Sequence, residues 1–219
     1  MTIVVRTLAE RIFDVIRERI VEGKLPVMEP VRQDALAAEL GVSKIPLREA
    51  LARLEHEGLL TSQANRGWFV RPMSSDQAEE IYLLRLATEP AAAAYACTKA
   101  DDADRQAAVK AFEVLDAAAK ENLSDVAVRN REYHVSLVRP GKRLLTTQLV
   151  ERLEVLAERY VIAHLEPAGR GDRAHMEHRD LLDAWLAGEA DKVQSLLTQH
   201  IASTLDDLRA HFTASQTPG

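Results

Sequence analysis

Residues 33–60 read QDALAAELGVSKIPLREALARLEHEGLL, and their spacing predicts two helices joined by a tight turn. Leu36 and Leu40 stand four apart, and Leu47, Leu51 and Leu54 follow at intervals of four and three, so each segment carries one apolar stripe of helical period. Gly41 falls between them, where a helix C-terminus favours a residue that tolerates positive φ. Ser43 is placed as the N-cap of the second segment, and Pro46 lies in its first turn, where a missing N–H removes no intrahelical bond. Lys44, Arg48 and Arg53 ride on that second helix, whose N-terminus adds its own attraction for phosphate. This is the makeup of a recognition helix. A helical hairpin inside any all-α core would show the same periods.

The residues that follow separate the two readings. Gly58 ends the second helix, and the β-prone runs Leu59–Gln63 and Trp68–Val70 flank the turn sequence Ala64-Asn65-Arg66-Gly67. A hairpin with Arg66 and Gly67 at its tip, directly after a helix-turn-helix, is a wing. Such a wing places an arginine at the minor groove while the helix reads base edges in the major groove.

Through LAAELGVSKIPLREALARLEHEGLL and NRGWFV, residues 8–71 resemble the winged helix-turn-helix of the GntR family of bacterial transcriptional regulators. The shared pattern is leucine-alanine, Gly-Val-Ser, a basic residue, Pro, Arg-Glu-Ala-Leu, then Glu-Gly-Leu before an Arg-Gly wing. The resemblance implies DNA contacts from Arg32, Ser43, Lys44, Arg48, Arg53, Arg66 and Gly67. Two departures stand out. Lys44 occupies a position where arginine is commoner, exchanging a planar fork for a point charge. Pro26-Val27-Met28 replaces the usual Pro-Gly turn after the first helix, which leaves that loop's geometry open.

Composition sets the outer bounds. The 219 residues suit one large or two modest domains, and 47% apolar content argues against disorder. No apolar run approaches the roughly 18 residues of a membrane span, and the N-terminus lacks the layout of a secretory signal. The single cysteine, Cys97, lies in an alanine-rich helical run and reads as a small buried hydrophobe, in keeping with a cytoplasmic protein. The net charge of −6 is unevenly divided: residues 1–71 hold 11 Lys+Arg against 10 Asp+Glu, so the acidity belongs to the remainder. An even balance still permits a basic face if the acids lie on the far side.

Outward from the motif, Leu8, Ile12, Val15, Ile16 and Ile20 predict a supporting helix over about residues 7–21. Residues 72–75 read as a linker between a winged domain, 1–71, and an all-helical domain, 76–212. Six helices are expected there: 75–98, 102–119, 124–138, 142–165, 172–187 and 189–212, with Pro90 bending or restarting the first. The predicted fold is mainly α, a winged helix-turn-helix followed by an antiparallel six-helix bundle.

In the helical half Asn130 and His134 stand four apart on one helix face, while His178 and His200 each sit on an apolar stripe of a different helix. Singly, an inward histidine is most simply a core residue. Three that converge would offer neutral nitrogen donors suited to Zn, Ni or Fe. Arg85, four residues before Glu89, is open to two readings: a clamp for an anionic ligand, or an ion-pair partner of Glu89. Tyr133 reads as core, and His164 and His175 also lie within reach of the same region.

These pieces resemble the FCD ligand-binding domain found behind this winged domain in the FadR subgroup, across residues 76–203. They are Arg85 and Glu89 in LLRLATEPAAAAYA, Asn130-x-x-Tyr133-His134, and EHRDLLDAWLAGEADKVQSLLTQHI with a histidine near each end. Six helices resemble the VanR-like branch. The resemblance implies a divalent metal held by residue 130 with His134, His178 and His200, completed by a small carboxylate effector. Asn130 occupies the usual aspartate position and brings no charge, which weakens the site.

Enzymatic readings find little support. His175 and His178 are three apart around Glu177, not the four-residue spacing of zinc-protease helices, and Gly169-Arg170-Gly171 follows no strand, so it reads as an interhelical loop. The expectation is a non-enzymatic, homodimeric regulator that binds a roughly palindromic double-stranded operator. An interaction scaffold or a metal-dependent hydrolase are the alternatives.

Overall fold

Thr7 opens the first helix through a complete capping box: its hydroxyl accepts from the Glu10 N–H, and the Glu10 carboxylate accepts from the Thr7 N–H at 2.7 Å. In the computed structural model, which describes residues 6–121, 123–165 and 169–215, this helix is α1 (Leu8–Val21). It is followed by α2 (Gln33–Leu40), α3 (Lys44–His56), β1 (Leu60–Gln63) and β2 (Gly67–Val70). Gly41 closes α2 at φ 65°, and Gly58 follows α3 at φ 83°, the left-handed backbone that ends a helix cheaply only at glycine. Ile12, Phe13, Ile16 and Ile20 of α1 and Leu47, Leu51 and Leu54 of α3 are buried, α1 packing against α3.

The loop in place of a Pro-Gly turn takes an unexpected course. Met28 adopts φ 68°, Val27 bridges Val70 in parallel, and Pro30 bridges Phe69 in antiparallel sense. The loop thereby lays a fragment of third strand against β2, which satisfies backbone groups on the edge of the hairpin. β1 and β2 pair antiparallel in the register Leu60↔Val70 to Gln63↔Gly67.

The chain divides into two compact units, 1–72 and 73–219. Among the described residues the second unit holds six α-helices: α4 (Ser75–Cys97), α5 (Asp102–Glu121), α6 (Leu123–Val138), α7 (Leu144–Leu165), α8 (Arg170–Leu186) and α9 (Ala190–Ser215), with one 3₁₀ turn at Arg139–Gly141. Ser74 caps α4 by accepting from the Gln77 N–H. α4 is the hub, packed against α6, α7, α8 and α9, and its buried run Ala92–Ala94 lets neighbours approach closely. Pro90 neither stops nor restarts α4; it is buried inside a continuous helix that forgoes one bond to the Leu86 carbonyl, because packing on several sides outweighs that loss. Arg170 and Gly171 belong to α8 rather than to a loop, since Gly169 at φ 82° turns the chain one residue earlier. Cys97 is fully buried, as its apolar surroundings in sequence imply.

Candidate metal centre and nucleic-acid face

The first unit presents α3 with two unlike sides. Leu47, Ala50, Leu51 and Leu54 face inward, and Ser43, Lys44, Arg48 and Glu49 are exposed. Ser43 has the extended backbone of an N-cap, φ −78° and ψ 162°, yet its hydroxyl makes no capping bond, so the cap is positional only. Lys44 pairs with Asp34 of α2 at the surface, a contact worth little in water and easily exchanged. Arg32 and Arg48 are exposed with no ion-pair partner among the described residues. Arg53 departs from the expected basic stripe: its guanidinium lies 4.3 Å from the centroid of the Phe13 ring on α1. At about 100° per residue it stands roughly 140° around the helix from Arg48, too far for both to serve one groove.

Arg66 lies at the wing tip, donating to the Gln63 Oε1 at 2.9 Å and resting 5.4 Å from the Phe69 ring. Asn65 at φ 62° and Gly67 at φ 90° make the turn. A Cβ at Gly67 would meet only the Gln33 amide at 3.6 Å, so conformation and not space requires glycine there. Sequence reasoning missed Glu55. This α3 carboxylate accepts from the Ser62 N–H at 2.8 Å, from the Ser62 hydroxyl, and from the Trp68 Nε1–H at 2.9 Å, tying both strands of the wing to α3. The Ser62 hydroxyl bond, with its companions, holds the Glu55 carboxyl below the usual range. No spacing rule links residue 55 to 62 and 68.

In the second unit α6 supplies Asn130 and His134, α8 supplies His178, and α9 supplies His200. All three histidines are buried, and they converge: His134 Nε2 is 3.3 Å from His178 Nε2, which is 3.2 Å from His200 Nε2. Burial pushes His134 below the ordinary imidazole range and His178 well below it, so these rings are neutral. His200 Nδ1 is 2.7 Å from Glu177, and His134 Nδ1 faces Glu89 at 3.5 Å and Glu154 at 3.6 Å, longer than a hydrogen bond. A carboxylate behind an imidazole favours the Nδ1–H tautomer and turns the Nε2 lone pair toward the centre. Two nitrogens bound to one ion at about 2.0–2.1 Å and near-tetrahedral angles stand about 3.3 Å apart. Two of the three nitrogen pairs therefore have the spacing of ligands on one divalent ion, and the His134 and His178 rings are in the neutral form that such ligands need. In sequence Glu177 is only a residue between two histidines; its place behind His200 is set by α9 lying against α8.

Asn130 is buried and lines, with His175, His178, His200 and Thr204, a cavity of about 100 Å³ whose other walls are largely apolar. His175 reaches this cavity but is half-exposed and paired with Asp116 at 3.0 Å. The His164 side chain lies outside the described residues. Tyr133 is core, its hydroxyl donating to the His178 carbonyl at 2.8 Å.

Arg85 lines the same cavity, and its expected ion pair with Glu89 is present, but at 2% exposure the pair is buried and not at the surface. Its Nε donates to Glu89 at 2.7 Å, its Nη2 to Glu89 at 3.3 Å and to Glu154, leaving only Nη1 for any effector. Glu89, His134 and Glu154 form a second cluster of potential ligands, and the guanidinium already serves as its cation. Burial pushes the Glu154 carboxyl well above the usual range, whereas Arg85 and His134 offset burial at Glu89 and hold it low. The pair thus carries one negative charge against one arginine. Spacing suggested Arg85 with Glu89; nothing local pointed to Glu154, 69 residues away.

Among relatives, the HTH-type transcriptional regulator BphR of Paraburkholderia xenovorans (strain LB400) is 29% identical over 215 residues, covering 94% of this chain and 86% of its own length. The "Probable D-xylose utilization operon transcriptional repressor" of Paenarthrobacter nicotinovorans is 30% identical over 202 residues, covering 91% and 88%. Of solved structures, E. coli McbR/YncC shares the fold at a TM-score of 0.78 and 20% identity, covering 95% of this chain and 100% of its own. Residues 8–70 match the model for bacterial regulatory proteins of the gntR family and residues 80–203 that for the FCD domain. The chain is a member of the GntR family of bacterial transcriptional regulators, carrying an FCD domain C-terminal to its helix-turn-helix, and the relatives it matches are named as transcriptional regulators.

Proposed function

We propose that this chain is a cytoplasmic, homodimeric repressor that releases its operator when a small carboxylate metabolite enters the second unit beside a divalent metal. The observation that carries the reading is the convergence of three buried imidazoles next to a cavity large enough for a small molecule. His134, His178 and His200, with Asn130 as a neutral fourth donor, would hold a divalent metal, which would supply positive charge for the effector's carboxylate. Apolar walls then select what is attached to it. The effector changes operator affinity only as far as it binds the DNA-competent and incompetent arrangements unequally.

DNA is read by Arg48 and Lys44 in the major groove, with Ser43 and Arg32 at phosphates and Arg66 and Gly67 at the wing; Arg53 is assigned to structure. Exposed Leu83 and Leu84 on α4, and Leu144, Leu145 and Leu149 on α7, offer apolar surface to a second copy. Two copies place two recognition helices on a roughly palindromic site.

The test is operator binding by the full chain, with Lys44→Ala and Arg48→Ala combined. Loss of at least a hundredfold in affinity is expected from two removed charge contacts; unchanged affinity defeats the DNA assignment. In parallel, Zn or Ni added after chelation, then a panel of small carboxylates, should raise the melting temperature of the chain and not of its His178→Ala variant.

A further inference from the structure

Ile45 has no structural reason to be isoleucine. It is the second residue of α3 and 72% exposed, while every buried position of that helix lies on the opposite side. Helical spacing puts it in one stripe with Arg48, Glu49 and Ala52, all exposed, and next to Lys44. A solvent face ordinarily carries polar side chains, and a β-branched residue lowers helix propensity, so neither packing nor local preference is served. What the side chain does offer is stiffness: in a helix one χ1 rotamer dominates, and the branched methyls project in a fixed direction.

We infer that Ile45 is a specificity-determining residue that reads the C5 methyl group of a thymine in each half-site. The inference rests on the assignment of α3 to the major groove. Base edges there present hydrogen-bond donors and acceptors, which isoleucine cannot engage, and one apolar group, the thymine methyl. Lys44 and Arg48 flank Ile45 and bring the phosphates and a guanine within reach, so the apolar contact is held against the groove floor by charge on both sides. Residues 45 and 48 are roughly 4.5 Å apart along the helix axis, which places the thymine about one or two base steps from the guanine met by Arg48.

The experiment uses the full chain. Duplexes are selected from a random pool, and each thymine of the best is replaced in turn, symmetrically in both half-sites, by deoxyuridine, which lacks only the methyl. Affinity should fall about fourfold per methyl and roughly fifteenfold for the pair at one position, with the rest near parity. In Ile45→Ala, whose melting temperature should match that of the parent, the same replacement should have no effect. The inference is overturned if all uridine duplexes bind within twofold of the parent, or if Ile45→Ala keeps the full sensitivity. Failure to select any duplex would instead defeat the underlying DNA assignment, and the inference with it.

Discussion

Replacing Arg85 with methionine keeps an unbranched apolar stem and removes the guanidinium with its charge. In the native unit the guanidinium meets Glu89 and Glu154, all three at most 3% exposed in their side chains. Without it two buried carboxyls lose their cation, and breaking a buried pair in this way costs about 3–5 kcal/mol. Against the roughly 5–15 kcal/mol that stabilises an ordinary domain, that is a large fraction. In temperature it corresponds to a fall of about 10 °C for a unit of this size. The protonation pattern sharpens the expectation. Glu154 is pushed up and neutral, so Glu154→Gln replaces one neutral group by another and should cost under about 1 kcal/mol. Glu89 is held low and ionised, so Glu89→Gln strands the arginine and should cost about 3 kcal/mol or more. Urea unfolding followed by Trp185 fluorescence, in a Trp68→Phe background, reports on the second unit alone, because these are the two tryptophans of the chain. The reasoning fails if Arg85→Met costs less than about 1 kcal/mol, or if the two glutamine variants are equally destabilised. An Arg85 that serves only as an effector clamp would lose effector affinity at unchanged stability.

Glu55→Ala should loosen the wing, because the Trp68 Nε1–H and the Ser62 donors lose their acceptor; a loss of about 1–3 kcal/mol from the first unit is expected, read by hydrogen exchange at residues 60–70. Its pH dependence has a definite sign: the folded pKa lies below the ordinary value, so the contribution is full above about pH 4.5 and fades as pH falls through the depressed value. Protection of the wing that is flat down to pH 3 would contradict this. Asn130→Asp should tighten Zn or Ni binding at least tenfold in competition with a chromophoric chelator, since it adds an anionic donor to a neutral set, while lowering the stability of the metal-free protein by burying a carboxylate. Equal metal affinity in the two proteins would mean that residue 130 does not face the ion.

Most of the first unit is written locally. Gly41 and Gly58 stop helices, the 4–3 leucine spacing names the buried side of α3, and the Asn65-Arg66-Gly67 turn sits between two β-prone runs, so neighbours along the chain suffice. The capping box of Thr7 and Glu10 is equally local, though its residues stand outside the apolar stripe of α1. In the second unit the helices and the inward histidines were also legible, because a period shows which side of a helix is apolar. What a period cannot show is which apolar side meets which. Convergence of His134, His178 and His200 depends on α6, α8 and α9 packing at one register, and so does the placement of Glu177 behind His200. Arg85 illustrates the boundary: its spacing to Glu89 is visible, but its burial and its second partner Glu154 come from α7 lying against α4. Arg53 divides the same way: its offset from Arg48 follows from helical spacing, and only its partner ring, Phe13 on α1, comes from packing. Local chain stiffness and capping determine the elements from sequence alone; side chains far apart in the chain acquire partners, charge states and roles only when tertiary packing removes the water between them.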